Sequence, residues 1–201
     1  LIMDNQVEAY NFPQGVLGHM YSAVAARTPG VITKVGLGTY IDPRIEGGRM
    51  NEITREDLVR VIEIDGEEWL YWPRFSFDVA FVRGTTADTR GNITSEEEGA
   101  FLEGITSAQA AKNSGGIVIA QVKYLAQAGT LNPQAVRIPG IYVDYIVVDP
   151  EQRQTSEDHY NPAYCGHVKV PAESIPPIPL DERKVIARRA AKELFPGAVV
   201  N

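Results

Sequence analysis

Three groups of residues in this 201-residue chain could do chemistry: carboxylates set among glycines, three histidines with one cysteine, and an amide at a turn that leads into a helix. The densest group lies in residues 35–51. There Gly36, Gly38, Gly47 and Gly48 bracket the run Asp42-Pro43-Arg44-Ile45-Glu46. Glycines let main-chain amides approach a ligand or another loop closely, so the stretch reads as a site loop. Glu46, followed by two glycines, is its suggestive carboxylate, since a carboxylate in a backbone-rich loop can act as nucleophile or base; a structural role is favoured for it. His19, His159 and His167 lack metal-ligand spacing and read as surface or packing residues, so no metal site is expected. Cys165 has no partner that spacing identifies and reads as a half-buried thiol. Gly36-Leu37-Gly38 is too short for a dinucleotide fingerprint, and no phosphate-binding Gly-x-x-x-x-Gly-Lys-Ser/Thr run occurs.

The elements that must position these residues follow from periodicity. Residues 7–12 alternate like a short strand and Pro13-Gln14-Gly15 ends it. Val16, Leu17, Met20, Val24 and Ala25 then recur at helical spacing. Strand, tight turn and helix place Gln14 at a helix N-terminus, where unpaired amides point outward. Residues 31–35 form a β-branched run before the glycine loop. Thr54-Arg55-Glu56-Asp57 can cap a short helix, and residues 59–64 and 69–72 read as two strands joined at Asp65-Gly66, a hairpin turn signal closed by Pro73. Residues 77–84 suggest a buried strand of parallel type, and residues 88–92 a tight turn. Glu96-Glu97-Glu98 reads as a solvated helix start, and residues 100–111 as an amphipathic helix stopped by Asn113-Ser114-Gly115-Gly116. Residues 117–122 make the expected central strand and 141–148 another, giving a mixed α/β chain.

From Asp149 to Pro179 six prolines are scattered among polar residues, which predicts a linker and a domain boundary. The expected organisation is a first domain over 1–150, a proline-rich linker over 151–179, and the start of a second domain over 180–201. A helix begins after Leu180, and a strand starts at Ala198 and runs into Val200-Asn201. The chain is expected to be truncated at both ends.

Bulk properties narrow the function classes. A hydrophobic content of 44% is enough for a real core. A net charge of −7, with no gathered Lys or Arg, argues against a nucleic-acid surface. No apolar run reaches the roughly 18 residues of a membrane span, and there is no secretory signal. A single cysteine excludes an internal disulfide and fits a reducing cytoplasm.

Taken in order, Phe12-Pro13-Gln14-Gly15, Gly36-Leu37-Gly38-Thr39, Asp42-Pro43-Arg44-Ile45-Glu46-Gly47-Gly48, Gly84-Thr85-Thr86-Ala87-Asp88, Gly91-Asn92 and Asn113-Ser114-Gly115-Gly116 resemble family I coenzyme A-transferases, in particular the acetate/propionate branch of acyl-CoA:acetate/3-ketoacid type. The resemblance extends through Tyr160-Asn161-Pro162-Ala163-Tyr164. It implies an open, mixed, largely parallel α/β sheet with flanking helices, Rossmann-like, in a two-half cytoplasmic enzyme. CoA, a substrate rather than a bound cofactor, would move between a short-chain acyl group and acetate or another carboxylic acid through a glutamyl-CoA thioester. The resemblance places the nucleophilic glutamate after Asn201, so no catalytic nucleophile is assigned here and Glu46 does not take that role. A second half on the same or another chain and a homo-oligomer are implied. Gln14 matches the family's glutamine that faces the reacting carbonyl and donates to the oxyanion, while Gly38, Thr39, Glu46 and Gly47 would shape the acyl pocket. An acyl-CoA hydrolase of the same fold and a non-catalytic partner subunit are the alternatives.

Overall fold

The computed structural model describes residues 1–199. Along the chain its elements are α1 (Gln14–Ala25), β1 (Gly30–Thr33), β2 (Arg60–Ile64), β3 (Glu67–Pro73), β4 (Val79–Arg83), β5 (Thr86–Asp88) and β6 (Ile93–Thr94). These are followed by α2 (Gly104–Ser114), β7 (Ile117–Val122), β8 (Tyr124–Ala126), β9 (Val136–Ile138), β10 (Tyr145–Val148) and α3 (Glu182–Ala191). The strands form three small sheets, which makes the expected mixed α/β fold.

In the first sheet the order is β1-β3-β2, all antiparallel. Its hairpin closes at Asp65 and Gly66, both in the left-handed region with φ of 53° and 79°, the geometry that a two-residue turn needs to match strand twist. Val16, Met20 and Val24 of α1 pack with Val59, Leu70 and Trp72 to form one core.

The second sheet, β10-β7-β4, is parallel throughout with β7 in the middle, where the apolar run 117–122 predicted it. Alternate residues Ala80, Val82, Val118, Ala120 and Val122 turn inward and share a core with Ala108 and Ala111 of α2. The small alanines let the helix sit close to the sheet, and Gly115 (φ 83°) ends the helix in the left-handed conformation expected at its C-terminus. Val79, Phe81, Ile117, Tyr145 and Val147 lie exposed, Phe81 by 79%. The third sheet, β8-β5-β6-β9, is mixed and leans on the same core through Ala87, Ile93 and Ile138.

Several local expectations are corrected. Residues 7–12 pair only through an isolated Tyr10–Arg49 bridge, because Pro13 has no N–H to continue a ladder. Residues 54–57 are not helical, since the buried Thr54 hydroxyl accepts from Ala9 N at 2.7 Å instead of capping. Glu96-Glu97-Glu98 does not open a helix; α2 starts at Gly104, and Glu97 and Glu98 are half-buried in ion pairs. The last apolar strand is shorter than predicted, because Gly140–Tyr142 turns as a 3-10 helix before β10.

Residues 149–179 carry no strand and one 3-10 turn, Ala172–Ser174. Asp181 then caps α3, accepting from Lys184 N at 3.0 Å, and α3 buries none of its residues. The strand expected to run into Val200 and Asn201 falls outside the described residues.

Candidate functional site

Gln14 opens α1 directly after Pro13, whose fixed φ of −60° turns the chain into the helix. Among the described residues its side chain makes no hydrogen bond, and it is exposed. Its amide is therefore available at a helix end whose first N–H groups also lack intrahelical partners.

The glycine loop docks on the segment just before Gln14. Asn11 N donates to the Gly48 carbonyl at 2.8 Å and Met50 N to the Ala9 carbonyl at 2.9 Å. Gly48 must lack a side chain here: a Cβ would stand 2.8 Å from the Phe12 ring and 2.9 Å from the Asn11 carbonyl, at a φ of 71°. The far end of the loop is built on Asp42, a buried carboxylate that the motif reading had not singled out. Asp42 accepts from Gly38 N at 3.0 Å, from Arg44 N and Nε at 3.0 Å each, and from Arg44 Nη2 at 2.8 Å. Its carbonyl takes three more donors, the N–H groups of Ile45, Glu46 and Gly47. Hydrogen bonding from the Arg44 guanidinium, helped by the Gly38 and Arg44 amides, outweighs burial and holds the Asp42 carboxyl far below its usual range. Arg44 also reaches Glu68 on β3 at 2.8 Å, pinning the loop to the first sheet.

The predicted pocket residues thus split into two groups. Gly47 is buried beside the Gly48–Asn11 contact, and Glu46 is exposed on the same turn with only backbone hydrogen bonds. Gly38 and Thr39 sit at the Asp42 end, where the Thr39 hydroxyl donates to the Gly36 carbonyl at 2.7 Å. None of these, nor Gln14, lines the apolar cleft of about 230 Å³ between α1 and β3, whose walls include Phe12, Val16, Leu17, Met20, Trp72 and Phe75. Gln14 stands outside it, about one helical turn before Leu17 on α1.

A second polar cluster escaped the motif reading. At the carboxyl ends of β4 and β7, Lys123 pairs with Glu97 at 2.9 Å and Arg83 with Glu98 at 3.0 Å. The buried Gln152 donates to the Gly84 carbonyl at 2.9 Å, and Gln154 donates to the Glu97 carbonyl at 2.6 Å. Pairing with Glu97 holds the Lys123 ammonium above its usual pKa despite burial. Carboxyl ends of parallel strands are where open α/β sheets bind ligands, but here the side chains satisfy one another and strap residues 152–154 to the sheet. The signal was Glu96-Glu97-Glu98, which only the pairing distinguishes from a solvated run.

At the turn 88–92, burial would raise the Asp88 carboxyl. Hydrogen bonds from the Asn92 side chain and from the Asn92 and Arg90 amides win and keep it low. The histidines lie apart: His167 Nδ1 is 2.8 Å from the Tyr160 hydroxyl, His159 is 3.3 Å from Arg153, and His19 edges a shallow groove on α1. Cys165 donates weakly to the Pro162 carbonyl at 3.5 Å. Among the described residues no three His, Cys, Asp or Glu side chains gather as metal ligands, and no helix is long and apolar enough to cross a membrane.

Known proteins resemble this chain over most or all of its length. Residues 1–149 match the family model described as coenzyme A transferase. The caffeate CoA-transferase of Acetobacterium woodii is 53% identical over 204 aligned positions, covering 100% of this chain and 39% of that protein. The acetate CoA-transferase YdiF of Escherichia coli K12 is 44% identical over 202 positions, covering 100% of this chain and 38% of that protein. The acyl-CoA transferase YdiF of E. coli O157:H7, solved as apoenzyme and as a thioester complex with CoA, superposes with TM-scores of 0.86 and 0.85 at 43% identity, over 96% of this chain and 37% of that one. The chain therefore spans about two fifths of the length of these relatives. With residues 1–149 matched by that family model and relatives 44% to 53% identical over the full length of this chain, the chain belongs to the coenzyme A transferase family.

Proposed function

We propose that this chain is the substrate-facing part of a CoA-transferase that moves CoA between a short-chain acyl-CoA and acetate or another carboxylic acid. The observation that carries the reading is the exposed Gln14 amide at the start of α1, which makes no side-chain hydrogen bond among the described residues and follows a segment docked on the glycine loop through Asn11 and Gly48. A carboxamide held at a helix N-terminus can donate to a developing oxyanion without first giving up another partner. In this role Gln14 meets the reacting carbonyl, while Glu46 and Gly47 form the adjoining wall and Gly38 and Thr39 the outer rim of the acyl pocket. Free and bound CoA is the substrate, and no resident cofactor takes part.

The nucleophile is a glutamate beyond residue 201, in a second half carried on the same or another chain. Attack on the acyl-CoA carbonyl forms an acyl-glutamyl anhydride and releases CoA thiolate. The thiolate attacks the glutamyl carbonyl, giving glutamyl-CoA and the free acid, and the incoming acid reverses the sequence. The proposed domain division follows the same logic: residues 1–150 belong to the first half, 151–179 form the connection and 180–201 begin the second. Support comes from α3, whose Val185 and Ile186 are exposed at 59% and 67%, an apolar face suited to packing on another body. The assembled enzyme is expected to work in the cytoplasm as a homo-oligomer.

Trapping tests this. Incubation of the assembled enzyme with acyl-CoA followed by borohydride should reduce one glutamyl thioester to an alcohol, located by peptide mass spectrometry outside residues 1–201. Modification of Glu46 instead would reassign the nucleophile, and absence of any adduct would leave a non-catalytic subunit or a direct hydrolase.

A further inference from the structure

We propose that Thr54 is a positioning residue for the transfer and acts through Gln14; this rests on the transferase reading above. The segment that leads to Gln14 has no sheet to hold it. Residues 7–12 make one isolated bridge, so their backbone N–H and C=O groups need partners from elsewhere. Residues 48–54 supply them in turn. The Val7 carbonyl accepts from Asn51 Nδ2 at 2.8 Å and Ala9 N donates to the Thr54 hydroxyl at 2.7 Å. The Ala9 carbonyl accepts from Met50 N at 2.9 Å, and Asn11 N donates to the Gly48 carbonyl at 2.8 Å. Two side chains, Asn51 and Thr54, thus stand where the backbone of a neighbouring strand would.

Thr54 is the centre of this clamp. It is 3% exposed, and a hydroxyl buried so deeply is costly unless it is hydrogen-bonded. It accepts from Ala9 N and donates to Asn51 Oδ1, which also takes Thr54 N at 3.2 Å. These contacts orient the Asn51 amide so that Nδ2 faces the Val7 carbonyl and, at 3.0 Å, the Ile2 carbonyl. From Ala9 the constraint passes along the chain. Phe12 stands edge-on to Trp72 at 6.4 Å against the first core, and the Pro13 ring fixes φ at −60°. The Pro13 carbonyl accepts from Val16 N at 3.0 Å and Leu17 N at 3.1 Å, so the first turn of α1, with Gln14 in it, hangs from the docked segment. Buried as it is, Thr54 meets no substrate and acts only through what it holds. Position matters here because an oxyanion donor works where charge develops, and a displacement of about 1 Å can cost about 100-fold.

The test is a double-mutant cycle in the assembled enzyme. Thr54→Val keeps the shape, removes the hydroxyl and should lower kcat for CoA exchange about 10- to 100-fold. KM for both substrates should stay within about twofold, since the lost interaction is one made in the transition state. Thr54→Ser, which keeps the hydroxyl, should recover most of the loss. In a Gln14→Ala background Thr54→Val should cost less than about threefold, because the donor it positions is gone. Equal losses in the two backgrounds would overturn the proposal, as would a loss that serine does not rescue or a wild-type kcat in folded Thr54→Val. Should Thr54→Val unfold on thermal melting, Asn51→Asp, which keeps the acceptor for Thr54 and removes the donor to Val7 and Ile2, decides by the same cycle. The two readings fail differently: exchange with equal losses in both backgrounds removes the role of Thr54 alone, while no exchange by the unsubstituted enzyme with any acid removes the transferase reading itself.

Discussion

Gln14→Ala should lower turnover of the assembled transferase by about 100- to 1,000-fold, the range found when one oxyanion donor is removed, and should leave the unfolding midpoint where it was. The two halves of this expectation have separate causes. Gln14 is exposed and makes no side-chain hydrogen bond among the described residues, so its removal orphans no partner in the ground state. A donor aimed at the reacting carbonyl does its work only as negative charge develops, so the loss should fall on kcat more than on KM. Gln14→Glu is the sharper variant, because it keeps the size and replaces the donor with an acceptor. Steady-state kinetics with acetyl-CoA beside a thermal melt read both; turnover within a few-fold of wild type in Gln14→Ala would assign the oxyanion to another donor.

The largest structural effect is expected at Asp42. Asp42→Ala should destabilise the protein by about 3 kcal/mol, since it strips the acceptor from the Gly38 and Arg44 amides and leaves part-buried donors unmet. Chemical denaturation measures the loss. The same carboxylate gives a signed pH dependence. Its folded pKa is depressed by Arg44, so its stabilisation is fully present above the ordinary Asp value of about 3.9 and is lost as pH falls below that toward the folded value. Wild type should lose stability on acidification through that window more steeply than Asp42→Asn, which has no charge there to protonate. Parallel curves would show that Asp42 does not supply the dependence. Because Asp42 braces the loop whose other end docks at Asn11, the variants should also raise KM in the assembled enzyme.

These two residues show what the sequence could and could not disclose. The start of α1 at Gln14 was legible because proline and helical periodicity are local signals, and so was β7, whose unbroken apolar run needs no context. The Asp65-Gly66 hairpin was legible for the same reason. Asp42 was not, since Asp-Pro-Arg in a glycine loop reads as surface turn chemistry until Arg44 and the Gly38 amide are seen to converge on it. Glu97 and Glu98 were misread for a related reason: their partners Lys123 and Arg83 are 26 and 15 residues away, and only the sheet brings them together. The Thr54 hydroxyl was diverted from capping by Ala9, 45 residues earlier. Local propensity located the elements, and long-range polar pairing decided the loops between them.

The exposed row on the parallel sheet, Val79, Phe81, Ile117, Tyr145 and Val147, bears on the same division. Parallel sheets are ordinarily covered on both faces, and the relatives that match this chain are some two and a half times its length. The proposed reaction therefore belongs to an assembled protein, in which Gln14 and its loop would stand on one side of the reacting carbonyl and the glutamate on the other.

Isotope exchange tests that account most directly. The assembled enzyme is given an unlabelled acyl-CoA and a carbon-labelled carboxylic acid, and both CoA esters are followed by mass spectrometry. The account predicts that label appears in a new acyl-CoA, that the original ester is consumed only when the acid is present, and that free CoA does not accumulate. Consumption at the same rate without the acid, with release of free CoA, would contradict it.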